Sequence, residues 1–225
     1  MNNLVKTLIA GTAIAILLPL SASAAESSNP DNTARVLNGQ VNLTNVWNEV
    51  SVEGSKIGGD AVVSAGAVGN SLDVTTMNDT YVESTQTVVG AEIGSQVKAN
   101  FDTVYGSVGI TNRATCNQAD VSTDPNITSV KNTQSCEALD PMAYTTANVR
   151  NVAGDVSIAA SAVANTFSAD SNAPNMPVVN SQFNTSAVNT ITNVKVENVV
   201  GSVGVSSIAM GNSAQVIHYS TDPSQ

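Results

Sequence analysis

The chain has 225 residues, of which only 12% are charged and 4% are aromatic, and its formal net charge is −10. This acidic balance excludes a general nucleic-acid binder, because contacts to phosphates need lysine and arginine. A net negative charge keeps a protein soluble and attracts divalent cations weakly. The acidic residues are dispersed and show no calcium-loop spacing. We therefore expect no cofactor and no dedicated metal site.

The first 24 residues have the organisation of an export signal. Lys6 supplies a positive charge, residues 7–20 form an apolar stretch, and Ala22-Ser23-Ala24 is a small-residue cleavage site. The stretch is too short to span a membrane comfortably, and no second hydrophobic run follows it. We predict a signal peptide at 1–24, a polar lead-in at 25–39, and a mature chain without a transmembrane segment.

From residue 40 to residue 225 the chain repeats itself four times. Each copy has a glutamine, then a glycine 19 or 20 residues later, then an asparagine at the end of a small-residue block. These positions are Gln40, Gln86, Gln134 and Gln182; Gly59, Gly106, Gly154 and Gly201; and Asn70, Asn117, Asn165 and Asn212. Successive glycines are 47, 48 and 47 residues apart. A fixed period in this range indicates a stacked architecture.

Within each copy, apolar and polar residues alternate as they do in β-strands. No stretch after the signal sustains apolar residues at helical spacing. We predict an all-β protein, a β-solenoid (β-helix) built from four repeats of about 47 residues in the domain 40–225. The pattern leaves open whether one repeat forms one wide coil or two narrow coils. A β-sandwich is the competing fold, but it would not predict so constant a period.

The repeated asparagine has two interpretations. Asparagine tolerates a left-handed backbone, so the column could mark a corner of the coil. Stacked in register, the four side chains could also bond to one another along the axis, as in polar ladders of cross-β assemblies. A nearby position alternates between Asp60, Ser107, Asp155 and Ser202. That alternation suits a solvated corner better than an active site.

Cys116 and Cys136 are the only cysteines. In an exported chain such a pair predicts a disulfide. A redox-active pair would need a CxxC spacing or nearby cations, and the sequence has neither. Because neither residue belongs to the repeat consensus, we interpret the pair as one local covalent link.

The residues needed for catalysis are scarce. His218 is the only histidine, no nucleophile motif G-x-S-x-G is present, and one imidazole cannot build a multi-histidine metal site. Paired carboxylates serve in some polysaccharide-cleaving β-helices, but serine replaces Asp60 and Asp155 in the other copies. We predict that the protein is not an enzyme. The aromatic residues, including Trp47 and Phe183, form no regular row, so we expect them to pack in the core or at corners.

Two segments carry a family resemblance. They are Gly69-Asn70-Ser71-Leu72-Asp73-Val74 and Gly211-Asn212-Ser213-Ala214-Gln215-Val216. With the glutamine column, they make residues 40–216 similar in repeat style to curlin-type secreted amyloid subunits and to surface proteins that anchor bacterial holdfasts. Curlin repeats are about half as long, so the period differs. The resemblance implies a secreted β-solenoid that attaches or assembles at the bacterial surface.

The predicted function is therefore structural. We expect a secreted, extracellular or cell-surface adhesin or functional-amyloid-like fibre or matrix subunit that acts in attachment or biofilm formation. The ends of a stack expose unpaired backbone groups, which can add another copy or capture another surface or matrix protein. The alternative is a monomeric extracellular glycan-binding module that recognises polysaccharide with a lateral face.

Overall fold

The computed structural model describes residues 34–77, 79–124, 128–172 and 175–219. The predicted signal peptide lies outside these residues. The described residues form twelve strands: β1 (Ala34–Asn42), β2 (Val46–Ile57), β3 (Ala61–Thr76), β4 (Thr80–Val89), β5 (Ile93–Val104), β6 (Val108–Thr123), β7 (Thr128–Glu137), β8 (Met142–Val152), β9 (Val156–Ser171), β10 (Val178–Asn184), β11 (Asn189–Val199) and β12 (Val203–His218). β1 begins at Ala34, six residues before the predicted start of the repeat domain at residue 40.

Every strand pairs in parallel with the strand three places along the chain. The result is three four-stranded sheets: sheet 1 (β1-β4-β7-β10), sheet 2 (β2-β5-β8-β11) and sheet 3 (β3-β6-β9-β12). The chain therefore winds four times, and each turn adds one strand to every sheet. We call these turns coil 1 (β1–β3), coil 2 (β4–β6), coil 3 (β7–β9) and coil 4 (β10–β12). The predicted β-solenoid is confirmed, and each repeat makes one wide coil.

Sheet 3 is the longest wall and faces both of the others. One apolar cluster joins the first halves of its strands to sheet 2, and another joins the second halves to sheet 1. Within β6 the buried positions change parity, because Ile110 and Ala114 are buried before the midpoint and Ala119 and Val121 after it. This shift lets one continuous strand present side chains to two walls in turn, so a single alternation does not describe it.

The left-handed corner of each coil lies just before sheet 3. The positive φ angles of non-glycine residues in the described part of the chain belong to one residue per coil: Lys56 (57°), Thr103 (63°), Asn151 (55°) and Asn198 (55°). Asn198 donates a hydrogen bond to Asn151 Oδ1 (3.0 Å), and Asn151 donates to Asp102 Oδ1 (2.8 Å). The corner interpretation of the Asn70 column is therefore wrong, because that column lies inside sheet 3 instead.

Candidate functional site: stacked columns and two open ends

The asparagine column forms a continuous ladder through sheet 3. Each Nδ2 donates to the Oδ1 of the next coil's asparagine, at 2.8 Å from Asn70 to Asn117, 2.7 Å to Asn165 and 2.8 Å to Asn212. The two central residues are fully buried. Each Nδ2 up to Asn165 also donates to a backbone carbonyl of the following coil. The buried amides are thus bonded to one another, which offsets the cost of removing them from water.

The glutamine column in sheet 1 forms a second ladder with the opposite direction. Each Nε2 donates to the Oε1 of the preceding coil, at 3.0 Å from Gln86 to Gln40, 2.9 Å from Gln134 to Gln86 and 2.8 Å from Gln182 to Gln134. The same Nε2 atoms also donate to carbonyls of sheet 3 within their own coil. The ladder therefore links successive coils and also holds sheet 1 against sheet 3.

The glycine column marks a close approach between coils. A Cβ atom on Gly106 would lie 2.6 Å from Gly59 C, one on Gly154 would lie 2.8 Å from Gly106 O, and one on Gly201 would lie 2.5 Å from Gly154 O. Such contacts with backbone atoms leave no room for a side chain. Gly59 is different, because no described atom lies within 4 Å of its Cβ position. It is the first member of the column, and the described residues place no coil beneath it.

The alternating aspartates and serines bond to the next coil at the same corner. The backbone N–H of Ser107 donates to Asp60 Oδ1 (2.7 Å), that of Asp155 donates to Ser107 Oγ (3.2 Å), and that of Ser202 donates to Asp155 Oδ1 (2.7 Å). The carboxylates and hydroxyls thus accept bonds from otherwise unpaired backbone groups at the start of sheet 3. This arrangement is structural and exposed, as the alternation suggested.

The predicted disulfide joins Cys116 of β6 to Cys136 of β7, with Cα atoms 6.0 Å apart. It therefore links coil 2 to coil 3 through the core. One coil earlier, Val88 occupies the position of Cys136 and Gly69 that of Cys116. A Cβ on Gly69 would lie 3.0 Å from Val88 Cγ2. The covalent link replaces an apolar contact at one level of the stack, which explains why the repeat consensus does not contain it.

The two ends of the stack differ in exposure. In coil 1, the inward side chain of Val63 is 4% exposed because coil 2 lies over it. In coil 4, the corresponding Val205 is 51% exposed, and Val203 and Val216 are each 50% exposed. β12 is the last strand of the winding chain, so its core-facing side chains lack a covering coil among the described residues. Among the described residues, no strand pairs with the outer edge of coil 1 or of coil 4 in any of the three sheets.

The lateral walls carry ion pairs between coils. Lys131 Nζ lies 2.8 Å from Glu83 Oε1, and Lys98 Nζ lies 2.7 Å from Glu49 Oε1. The Lys131 hydrogen bond, followed by one from Tyr81, lowers the pKa of Glu83, and the pKa of Lys131 is raised in return. Both pairs are exposed, so each contributes little to stability.

The aromatic residues differ in how deeply they are buried. Phe101 is 2% exposed in the core, but Trp47 is 42% exposed where it covers Gly94, and Phe183 is 56% exposed. Trp47 and Phe183 therefore lie outside the core, and each is one residue from a strand end, near the corners that were the other predicted position. Because they lie on different walls, they do not form an aromatic row of the kind that binds an extended glycan.

The described residues contain no cluster of three or more side chains able to hold a metal ion. His218 lies exposed at the end of β12. Across the same ranges, no helix is long and apolar enough to cross a membrane.

The family of holdfast attachment protein D matches this chain over residues 21–187 and again over residues 84–224. The chain belongs to this family. Neither a curated protein nor a solved structure matches it. The resemblance to holdfast-anchoring surface proteins is thereby confirmed, while the likeness to curlin subunits stays a prediction. The chain is an attachment-related protein of the bacterial surface.

Proposed function

We propose that the protein is a structural subunit of the bacterial attachment apparatus, which acts by associating through the open ends of its solenoid. Its partner is another copy or another surface or matrix component. The protein is secreted and has no catalytic role. Membership of the holdfast attachment protein D family supports a role at the bacterial surface.

The observation that carries this proposal is the pair of unpaired ends. Coil 1 and coil 4 each present the edges of three parallel strands, and the described residues place no capping element over either. Edge strands with free backbone groups readily pair with further strands. Natural solenoids that remain monomeric usually carry polar capping repeats, whereas coil 4 exposes core-facing valines such as Val205.

The test is electron microscopy of residues 25–225 over a concentration series, together with an attachment assay. We expect filaments that lengthen with concentration, and we expect cells lacking the protein to detach from glass under flow. Expression of the chain in those cells should restore attachment. Unchanged attachment without the protein would overturn the role in adhesion. Single rods that bind a glycan saturably would favour the glycan-binding alternative.

A further inference from the structure

We propose that the partner of the open ends is a second copy of this chain, stacked head to tail so that coil 1 of one copy continues from coil 4 of the other in register. This inference rests on the proposed function and narrows it to one partner, one polarity and one register. Several columns that run through the chain support it, because each would continue across the junction without a break.

Gly59 has no steric reason to be glycine within the described part of its own chain. No described atom lies within 4 Å of its Cβ position, and its φ is outside the left-handed region. Gly58 is equally open, but its column contains Tyr105, Ala153 and Val200 in the later coils. The column of Gly59 contains only glycines, and the three later ones are each crowded by the preceding coil. Coil 4 of a second copy would supply the coil that Gly59 lacks and would require a glycine there.

The aspartate–serine column also continues correctly. It runs Asp60, Ser107, Asp155, Ser202, so the Asp60 of a following copy would come next to Ser202. The backbone N–H of Asp60 would then donate to Ser202 Oγ, as that of Asp155 donates to Ser107 Oγ at 3.2 Å. Four coils are an even number, so no two carboxylates become neighbours at the junction.

The glutamine ladder has complementary ends. Gln86 Nε2 donates twice, to Gln40 Oε1 and to a backbone carbonyl. Gln40 Nε2 donates only to the carbonyl of Ser71 within the described residues. At the other end, Gln182 Oε1 receives no bond from any described donor, whereas Gln134 Oε1 receives one from Gln182. Head-to-tail stacking brings the spare N–H of Gln40 to the spare acceptor of Gln182.

The asparagine ladder also has complementary ends, but its spare donor is in coil 4 and its spare acceptor is in coil 1. Asn165 Nδ2 makes two short bonds, of 2.7 and 2.8 Å, to the following coil. Asn212 Nδ2 has only a 3.4 Å bond back to Gln182 O. Asn70 Oδ1 receives no bond among the described residues, while Asn117 Oδ1 accepts from Asn70. The Asn70 of a following copy would therefore accept the bond that Asn212 can donate.

Exposed side chains at the two ends match as well. The strand registers place Phe183 in the column of Val41 and Val179 in the column of Leu37, and all four are at least 45% exposed. The junction would bury both apolar pairs, which favours association. On sheet 2, Lys195 lies in the column of Glu53, so opposite charges would meet. Glu83 and Lys131, in adjacent strands, already make such a pair at 2.8 Å.

The first test compares Gly59→Val with its matched control Gly58→Val. Both substitutions lie at the open face of coil 1, and neither side chain meets a described atom, so both variants should melt at the wild-type temperature. Only Gly59→Val places a side chain against the backbone of the stacked copy. We expect it to raise the lowest concentration at which filaments form, measured by light scattering, by more than about tenfold. Gly58→Val should assemble as the wild type does.

The second test is a cross-link between Ser51→Cys and Asn193→Cys, which share one exposed column of sheet 2. Within one chain the two positions are three strand spacings apart, about 14 Å, which is too far for a disulfide. At a head-to-tail junction they are neighbours at about 4.8 Å. A mixture of the two single variants should form a covalent heterodimer on oxidation, and neither variant alone should form a dimer.

The outcomes separate this inference from the function on which it rests. Wild-type filaments with an unaffected Gly59→Val variant and no heterodimer would overturn the head-to-tail register but leave self-association intact. A wild-type protein that stays monomeric throughout the series would refute self-association and the junction together. Loss of filaments in Gly59→Val, with filaments retained in Gly58→Val, is the expected result.

Discussion

Gly59 and Gly154 occupy the same place in the repeat but have opposite surroundings. A side chain on Gly154 would collide with coil 2, whereas one on Gly59 would meet no described atom. The two glycines hold equivalent positions in their own coils, and the atoms that crowd Gly154 all belong to the preceding coil, so the neighbouring coil makes the difference. In a stacked fold, therefore, the role of a residue depends on its level as well as on its column. An interior position maintains the fold, and its counterpart at an end is available for assembly.

The largest expected effect that could break this comparison is that of Gly154→Val. The new side chain would meet the carbonyl of Gly106, so coils 2 and 3 must separate locally. We expect a loss of about 3 kcal/mol or more in unfolding free energy. Chemical denaturation of Gly154→Val and Gly59→Val side by side measures it. Equal unfolding free energies of the two variants would mean that the position of a coil in the stack has no influence on the effect of the substitution.

The disulfide sharpens the comparison between interior and end coils, because it joins the two central coils, coil 2 and coil 3. Replacing Cys116 and Cys136 by alanine opens a loop of 20 residues in sequence. The chain-entropy model predicts a loss of about 3 kcal/mol. Hydrogen exchange should show faster exchange in β6 and β7, with β1 and β12 little changed. Faster exchange at the ends alone would contradict a stabilising role in the centre.

Two single substitutions in the asparagine ladder, one in the interior and one at an end, should give a smaller difference in unfolding free energy. Asn117→Ala removes an amide that is 0% exposed and leaves the bonding groups of Asn70, Asn165 and Ser135 without that partner. We expect a loss of about 2 kcal/mol, against less than about 1 kcal/mol for Asn212→Ala at the open end. Thermal unfolding of monomeric samples distinguishes the two. A greater loss from Asn212→Ala would show that the ladder does not stabilise the interior.

The smallest expected effect concerns pH. Lys131 lowers the pKa of Glu83, so the pair stabilises the fold above the ordinary glutamate pKa, and this contribution is lost as pH falls through the lowered value. Glu83→Gln should therefore remove a slight acid sensitivity of the melting temperature. Glu92→Gln is the control, because the Glu92 carboxylate makes no ion pair among the described residues. Identical acid profiles for the wild type and Glu83→Gln would rule out this contribution.

Much of the fold could be predicted because the repeat period is itself a structural constraint. When strands of successive coils stack in parallel and in register, the chain must come back to the same position of the coil after a constant number of residues. Gln86 accordingly pairs with Gln134 in register. The glycine column marks the period in the sequence, but the close backbone contact that excludes other residue types at Gly106, Gly154 and Gly201 is seen only in the structure. The alternation of aspartate and serine pointed to a corner, where those side chains do accept backbone bonds.

Other features leave no clear trace in the sequence. The left-handed corner contains Lys56 and Thr103 as well as two asparagines, and residue preference alone would not select those two. The Asn70 column was ambiguous because asparagine suits both a turn and a buried ladder. The exposure of Trp47 follows from the level it occupies and from the glycine beside it, and neither is a property of its local pattern.

The two side-chain ladders have a further consequence for a stack that grows. Amide dipoles in the asparagine column all align one way along the axis, and those in the glutamine column align the other way. Their fields therefore oppose each other, unlike the peptide dipoles of an α-helix, which add along its length. Lengthening the solenoid adds one dipole to each row, so neither end accumulates a net partial charge from the ladders, however many coils it contains.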